Sequence, residues 1–485
     1  MTAFAQMRGR VLRAVGADML GQVLNIGVRL VLVPLYLSAW GAEAYGEWLI
    51  MTAVAGWFSL GDLGGQLYFV NRLTAEWAEG NHDIFQRVLT TGVAVFVISS
   101  TTLLLCVVLV LSATPALDWL QLHAVETSVA MAILFLMASR FLIALPLGLY
   151  LGIYRATGAQ ATSVMFANLV LLIQFVASVL ALLVGAGMLV LAAIEVLPML
   201  VVAIIVGIDL RKRLPANIRL FDLSIVDRSI LRASISPSLH FLGIQLAMAF
   251  MIQGSVIAVA KALGPVEVAI FSSMRTVSNV VHRILGMLSH AIWPEVTRLE
   301  RTGQRDKLTF IFKLTLMLTL LVGMAYLMLL QSFGNDLYDW WLNRQLRYEK
   351  APMILMGCFV LMTALWTVGG NLLMATNCHE AFSRFQLPVN IVALLLCYAG
   401  AANYGLAGAV SGLLIGQSIL MLGVVILILN RIGWQRNSSY LLKVSVWGFV
   451  LLPACLNFWS GVVVLIIIGS LTYKQLRLAD APGVF

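Results

Sequence analysis

The amino-acid sequence predicts an all-α polytopic membrane protein built from two pseudo-symmetric six-helix bundles and a C-terminal helical hairpin. Hydrophobic residues make up 61% of the 485 residues and charged residues only 11%, whereas soluble domains carry about 25% charged residues. A spanning helix needs roughly 20 apolar residues, so with its connection each pass takes about 35 residues and the chain accommodates about 14 spans. This arithmetic leaves almost no room for an extramembrane domain.

Apolar runs between polar breaks predict each span in turn. The N-terminal bundle, 1–209, contains spans predicted at 15–39, 45–70, 88–111, 125–152, 162–185 and 188–209. The C-terminal bundle, 236–430, contains spans predicted at 236–260, 266–292, 308–332, 351–376, 386–402 and 406–430. In the last segment, 431–485, we expect a short transmembrane hairpin at 441–458 and 460–473 followed by a cytoplasmic tail. A single span there would leave Lys474 and Arg477 outside, which favours the hairpin.

Lys and Arg concentrate on alternate connections between the spans, which predicts the orientation of the chain. The connection 210–235 is the longest and carries Arg211, Lys212, Arg213, Arg219, Arg228 and Arg232. Because these residues are interleaved with large apolar residues, we expect an amphipathic linker on the cytoplasmic membrane surface. The connections predicted to lie outside hold Lys261, Arg344, Arg347 and Lys350. By the positive-inside rule, both termini are cytoplasmic.

The two bundles are predicted to be repeats of one another. Shifting the chain by 223 residues places Gly41 on Gly264 and Gly80 on Gly303, each in a turn between spans of the same order. An even number of spans separates the copies, so both share one orientation. This pattern predicts a pseudo-twofold axis along the membrane normal, the architecture of many transporters.

Polar residues lie on one face of several spans. At 100° per residue, the polar residues of each of three spans fall within an arc of about 60° to 100°. In the first span these are Asp18, Gln22, Asn25 and Arg29. In the second span they are Thr52, Ser59, Asp62 and Gln66. In the eighth span they are Ser272, Arg275, Asn279, His282, Arg283 and His290. A weaker stripe on the seventh contains Ser238, Gln245 and Gln253. We expect these faces to line a water-accessible cleft.

Arg29, Arg275 and Arg283 are the principal candidates for substrate binding. An arginine at mid-membrane depth costs about 2.5 to 3.5 kcal/mol on insertion scales, so a functional reason is expected. A guanidinium suits phosphate or carboxylate oxygens, which predicts an anionic cargo. The neighbouring polar residues Asn25, Asn279 and His282 complete the predicted binding set. Alternatively, each arginine could pair with a nearby carboxylate or reach the membrane interface.

Asp18 and Asp62 are candidates for ion coupling, because a carboxylate near cations could exchange a proton or bind a cation. Simple salt-bridge partners are the alternative. Arg140 and Glu195 stand apart from every polar stripe, which predicts an ion pair within the N-terminal bundle.

The sequence carries no sign of chemistry on a substrate. It has no phosphate-binding loop, nucleophile constellation or zinc spacing, and its five cysteines are scattered without metal-ligand spacing. We therefore expect a transporter without cofactor or metal. The net charge of +9 reflects loops that face anionic lipid, so a nucleic-acid partner is not expected.

Several short stretches carry a family resemblance: Arg29…Pro34-Leu35-Tyr36, Gly41-Ala42-Glu43-Ala44-Tyr45-Gly46-Glu47-Trp48, Leu60-Gly61-Asp62-Leu63-Gly64 and Asn71-Arg72. The sequence resembles the Wzx-type polysaccharide transporter flippases of the multidrug/oligosaccharidyl-lipid/polysaccharide exporter superfamily. The resemblance implies a MATE-like fold and export of undecaprenyl-diphosphate-linked oligosaccharides for O-antigen, capsule or exopolysaccharide across the bacterial inner membrane. It also implies alternating access through a cationic cleft, with basic residues on the first and eighth spans. Membrane lipid and a polysaccharide polymerase or chain-length protein are the implied partners.

Two alternatives stay open from the sequence. A cation-coupled multidrug exporter of the same superfamily should favour an acidic cavity, whereas arginines predominate here. A membrane polysaccharide polymerase or ligase would need a large outer loop to hold its acceptor, and the longest outer segment is about 333–350.

Overall fold

The computed structural model describes residues 3–112, 120, 122–375 and 379–432. These residues form helices and connections, and no strand occurs among them. Within the described residues, nine helices are long and apolar enough to cross a membrane, which makes the chain a multi-pass membrane protein. The hairpin predicted at 441–473 lies outside the described residues.

The chain divides into two compact units, Met1–Gln253 and Gly254–Phe485. The helices of the first unit are α1 (Ala3–Gly56), α2 (Gly65–Ala78), α3 (His82–Ser112), α4 (Thr127–Ala156), α5 (Gln160–Leu183), α6 (Met188–Arg213) and α7 (Arg228–Ala249). Short 3₁₀ segments occur at Trp57–Asp62 and Leu223–Ile225, and a π-helical turn follows α7 at Phe250–Gly254. The helices of the second unit are α8 (Ser255–Leu263), α9 (Pro265–Arg301), α10 (Arg305–Leu342), α11 (Lys350–Ala375) and α12 (His379–Ile432).

The chain reverses direction inside α1, between the positions of the first two predicted spans. Gly41 interrupts it with φ 79° and ψ 174°, a conformation that favours glycine. The rings of Tyr36 and Trp48 lie 6.1 Å apart, although twelve residues of straight helix would separate them by about 18 Å. The rings of Tyr36 and Tyr45 stack at 5.5 Å. The two arms of α1 therefore pack against each other as a hairpin.

A second hairpin lies inside α12, where Gly405 has φ 64° and ψ −152°. Its arms meet through glycines: a Cβ on Gly412 would overlap the backbone of Leu396, and one on Gly416 would overlap the Cβ of Ala393. Small residues at this spacing allow close helix packing in membranes. This turn lies between the two spans predicted at 386–402 and 406–430.

The 223-residue repeat reappears in the backbone geometry. Gly264 adopts φ 89° and ψ 178°, close to the values at Gly41. At the next turn, Gly80 N–H donates to Trp77 O at 3.1 Å, and Gly303 N–H donates to Glu300 O at 3.1 Å. The two acceptor residues, Trp77 and Glu300, are also 223 positions apart. The two units therefore use the same turns in the same order.

The prediction of one continuous second span at 45–70 is wrong. The helix gives way to the 3₁₀ segment, and Leu63 and Gly64 then adopt left-handed φ values of 51° and 74° before α2 begins. A Cβ on Gly64 would overlap Ser238 O and lie 2.6 Å from Leu242 N, so the α7 backbone approaches this break too closely for a side chain. The α-helical rotation of 100° per residue therefore ends at Gly56. As a result, Asp62 and Gln66 do not lie on the same helix face as Thr52.

Glycines also fix the packing of α2 against α4. A Cβ on Gly152 would overlap the Val70 side chain, and one on Gly148 would overlap the Gln66 amide. The Gly148…Gly152 spacing is the small-xxx-small pattern that lets membrane helices approach closely. This contact orients Gln66 along the α4 backbone.

The connection between α6 and α7 is held to the beginning of α3 by hydrogen bonds. The Gln86 amide donates to Arg219 O at 2.8 Å and accepts from Arg219 N–H at 2.7 Å. Leu214, Ile218 and Ile230 are buried in the core of the first unit. The segment predicted as an amphipathic linker, 210–235, thus consists of two helix ends and an irregular stretch with one short 3₁₀ turn.

Candidate functional site

In the first unit, the predicted binding residues lie along the first arm of α1. Asp18 and Arg29 are exposed, and Asn25 is half-buried. The Asn25 amide donates to Gly21 O at 3.0 Å within its own helix. In the described part of the chain, none of the salt bridges involves Arg29. Its guanidinium is therefore not neutralised by a carboxylate of those residues, and its role in substrate binding stays a prediction.

The predicted ion pair of Arg140 and Glu195 is confirmed. The Arg140 Nε and Glu195 Oε2 atoms lie 3.1 Å apart, joining α4 to α6. The Arg140 guanidinium also lies 5.3 Å from the centroid of the Phe141 ring, and the Gln174 amide donates to Glu195 O at 2.7 Å. This arginine contributes to packing inside the first unit.

In the second unit, α9 is continuous through the predicted stripe, and the contacts of Arg275 include two uncharged groups. Its Nη1 donates to Ser255 Oγ on α8 at 3.0 Å, and its guanidinium lies 5.1 Å from the centroid of the Phe271 ring. Ser255 and Phe271 are both buried. Both contacts orient the side chain, and neither of these two groups carries a negative charge.

The rest of the α9 stripe is partly accessible. Asn279, His282 and Arg283 are half-buried, and His282 Nδ1 has no hydrogen-bond partner among the described residues. Ser273 and Ser278 of the same helix are buried and hydrogen-bond to Tyr338 at 2.6 Å and to Tyr326 at 3.0 Å. The serine hydroxyls are thus satisfied by α10, whereas the predicted binding residues lie elsewhere on α9.

Asp62 has a structural partner set that the sequence did not indicate. It is 4% exposed, and its Oδ1 accepts from Gly64 N–H at 3.0 Å. Its Oδ2 accepts from the Gln245 amide of α7 at 3.1 Å. The carboxylate therefore stabilises the left-handed break before α2. Its predicted role in ion coupling, and that of Asp18, stay predictions.

Asp62 also lines a pocket of about 420 Å³ in the first unit, whose wall is both polar and apolar. The polar side chains in its wall are Asp62, Gln66, Arg155, Gln160, Ser163 and Gln245, and the apolar part of the wall comes from Leu67, Val70 and Leu151. These residues belong to the elements around the α2–α4 contact. The sequence did not indicate Arg155, Gln160 or Ser163 as site residues, and the only signal for them was a polar turn between two apolar runs.

Glu47 is a second carboxylate whose role the sequence left unassigned. Its side chain has no exposed area. It accepts the backbone N–H groups of His123 at 2.5 Å, Ala124 at 2.7 Å and Val125 at 3.0 Å. Glu47 thus fixes the connection that leads into α4 and is committed to structure rather than to substrate.

Asp227 is the N-cap residue of α7. Its Oδ1 accepts from Ser229 N–H at 2.8 Å and from the Ser229 hydroxyl at 2.6 Å. These hydrogen bonds, the hydroxyl first, lower the pKa of Asp227 below its ordinary value of 3.8. The cap connects the stability of this helix end to pH.

Metal binding by side-chain clusters finds no support in the described residues, where no group of three or more His, Cys, Asp or Glu side chains could hold an ion. The expectation of no cofactor stays a prediction.

Solved structures with the same fold are membrane transporters. The lipid II flippase MurJ in an inward closed conformation matches with a TM-score of 0.68 at 12% identity, over 96% of this chain and 100% of that one. An inward-facing multidrug resistance MATE family transporter of the MOP superfamily matches with a TM-score of 0.63 at 15% identity, over 92% and 98%. The MATE multidrug transporter DinF-BH, solved as a complex, matches with a TM-score of 0.62 at 16% identity, over 88% and 95%.

These likenesses confirm the predicted MATE-like fold class, and at such identities they establish the fold alone. The sequence matches no protein-family model. Comparison with curated proteins also finds no match.

Proposed function

We propose that this protein is a flippase that moves undecaprenyl-diphosphate-linked oligosaccharides across the bacterial inner membrane for O-antigen, capsule or exopolysaccharide synthesis. The observation that carries the proposal is the charge of the two polar helices. Arg29 on α1 has no carboxylate partner among the described residues, and Arg275 and Arg283 place two further positive charges on α9. The fold shared with a lipid II flippase supports the same substrate class.

The chemistry of a diphosphate explains why arginine is used. A guanidinium keeps its charge at any physiological pH and offers paired N–H donors that match two phosphate oxygens. We propose that Arg29, Arg275 and Arg283 contact the diphosphate, with Asn25, Asn279 and His282 as neighbouring donors. Asp18 and Asp62 are the candidates for coupling transport to an ion gradient.

The proposed transport step follows from the cost of desolvation. A diphosphate cannot enter hydrocarbon unaided, because moving even one ion into a low-dielectric medium carries a large penalty. The polar helix faces supply a route for the diphosphate and its sugars, while the polyprenyl tail stays in the bilayer. Alternating exposure of the binding residues to the two sides of the membrane would complete the transfer.

A multidrug exporter is the second candidate, because two of the structures with this fold are described as multidrug transporters. The substrates of such exporters are mostly cations, and three arginines on the polar faces would repel them. We therefore rank it below the flippase.

The test is transport by purified protein in liposomes that contain an NBD-labelled, undecaprenyl-diphosphate-linked N-acetylglucosamine, with dithionite reduction reporting the leaflet. We expect Arg29→Ala, Arg275→Ala and Arg283→Ala each to reduce transport by about tenfold or more, the equivalent of one lost charge-assisted hydrogen bond. Lysine at these positions should restore only part of it. The control is Arg344→Ala, whose side chain is 85% exposed in an outer connection. Full transport by the triple alanine variant, or selective transport of the cationic dye ethidium instead, would overturn the proposal.

A further inference from the structure

The 420 Å³ pocket of the first unit contains hydrogen-bond acceptors that the protein does not satisfy. Gln160 Oε1 and Gln245 Oε1 are buried and have no hydrogen-bond partner among the described residues. Asp62 adds a carboxylate, which Gly64 and Gln245 hold in a fixed orientation. Buried acceptors without donors cost free energy, so the pocket is suited to a ligand that brings its own donors.

The same pocket also contains donors. The Arg155 guanidinium is exposed at its wall, and the Ser163 hydroxyl and the Gln66 amide lie nearby. A metal ion or an organic ammonium could use the acceptors but would be repelled by Arg155. A ligand made only of acceptors, such as a phosphate, could use Arg155 but would face the Asp62 carboxylate.

Sugar hydroxyl groups fit this mixed lining, because each one donates and accepts a hydrogen bond. The apolar part of the wall, Leu67, Val70 and Leu151, provides a surface for the C–H face of a sugar ring. The volume lies within the usual range for small-molecule sites, about 300 to 1,000 Å³.

We infer that this pocket is a glycan subsite that binds an uncharged sugar unit through Asp62, Gln160 and Gln245 as acceptors and Arg155 as donor. The inference rests on the proposed function and adds a sugar-recognition site that is separate from the arginines proposed to bind the diphosphate. Its polar wall includes the turn between α4 and α5, Arg155 to Ser163, which the charge distribution predicts to be cytoplasmic. The glycan would therefore be recognised before transport.

The experiment compares lipids with and without a sugar. The affinity of the purified chain in detergent is measured for undecaprenyl diphosphate and for undecaprenyl diphosphate that carries glucose, galactose or N-acetylglucosamine. The test variant is Gln160→Leu, which removes an acceptor at nearly constant volume, and the control is Gln304→Leu at an exposed inner turn. Ser163→Ala provides a second test if Gln160→Leu does not fold.

We expect the wild-type chain to bind at least one sugar-bearing lipid about five- to tenfold more tightly than undecaprenyl diphosphate, the effect of about one hydrogen bond. Gln160→Leu should remove this preference and change the affinity for undecaprenyl diphosphate by less than about twofold, and the control should change neither. Equal affinities for all four lipids, or a sugar preference that survives both test variants, would overturn the inference.

The two proposals fail in different ways. If undecaprenyl diphosphate binds and Arg275→Ala weakens it, but sugars add nothing, the glycan subsite is wrong and the flippase proposal stands. If the wild-type chain binds none of the four lipids, the flippase proposal fails and the subsite fails with it.

Discussion

Replacing Glu47 with glutamine tests whether this buried carboxylate stabilises the connection before α4. The substitution keeps the shape of the side chain and removes its charge. In the wild-type chain, three backbone N–H groups donate to Glu47 at 2.5, 2.7 and 3.0 Å, two of them to Oε1 and one to Oε2. The amide retains one oxygen, so its NH₂ group must face the third backbone N–H.

The expected loss follows from these three contacts. A hydrogen bond to a charged acceptor contributes about 1.5 to 3 kcal/mol, against about 1 kcal/mol for a neutral one. Two bonds should therefore weaken by about 1 kcal/mol each, and the third should be lost because two donors oppose each other. We expect the free energy of unfolding to fall by about 4 kcal/mol. Water at the exposed end of the connection could reduce the loss but should not abolish it.

The assay is unfolding in mixed detergent micelles titrated with SDS, followed by tryptophan fluorescence. The matched control is Glu43→Gln, one helical turn away on the same arm of α1 and exposed, which should change stability by less than about 0.5 kcal/mol. If Glu47→Gln and Glu43→Gln unfold alike, the three hydrogen bonds do not stabilise the connection and this reasoning is refuted.

Three further predictions concern packing, pH and orientation. Gly152→Ala should destabilise the chain by about 1 to 3 kcal/mol through overpacking against α2. The control is Gly207→Ala, which should be neutral or stabilising because a Cβ there meets nothing within 4 Å. Equal effects of the two variants in the same SDS titration would contradict the close contact between α2 and α4. Because the pKa of Asp227 is lowered in the fold, its stabilisation of the start of α7 is present above its ordinary pKa of 3.8 and is lost as the pH falls through the lowered value. Hydrogen-exchange protection of those amides should fall in that acid range, and Asp227→Asn should remove the pH dependence; an unchanged profile would exclude the cap. In a cysteine-free background, a cysteine at 343 should react with an impermeant reagent added outside intact cells and one at 303 should not, and the reverse pattern would invert the orientation.

Features that depend on local composition can be predicted from the amino-acid sequence. Apolar runs located the helices, because burial in lipid is nearly additive along the chain. The 223-residue repeat in the sequence predicts which turns of the two units are equivalent. These turns contain Gly41, Gly80, Gly264 and Gly303, which all have positive φ values, and a positive φ favours glycine. The ion pair of Arg140 and Glu195 could also be inferred, because two isolated charges in apolar helices need partners.

Which polar side chains bond to other parts of the protein depends on how the helices pack in the folded chain. Asp62 looked like part of a continuous stripe, but close approach of the α7 backbone breaks the helix at Gly64 and turns the carboxylate toward Gln245. Glu47 finds its partners more than seventy positions away, and Gln160 shares a pocket with Asp62 only because glycines bring α2 and α4 together. A helical period specifies the face on which a residue lies, whereas its hydrogen-bond partners depend on helices distant in sequence. The pocket around Asp62 therefore exists only in the folded chain.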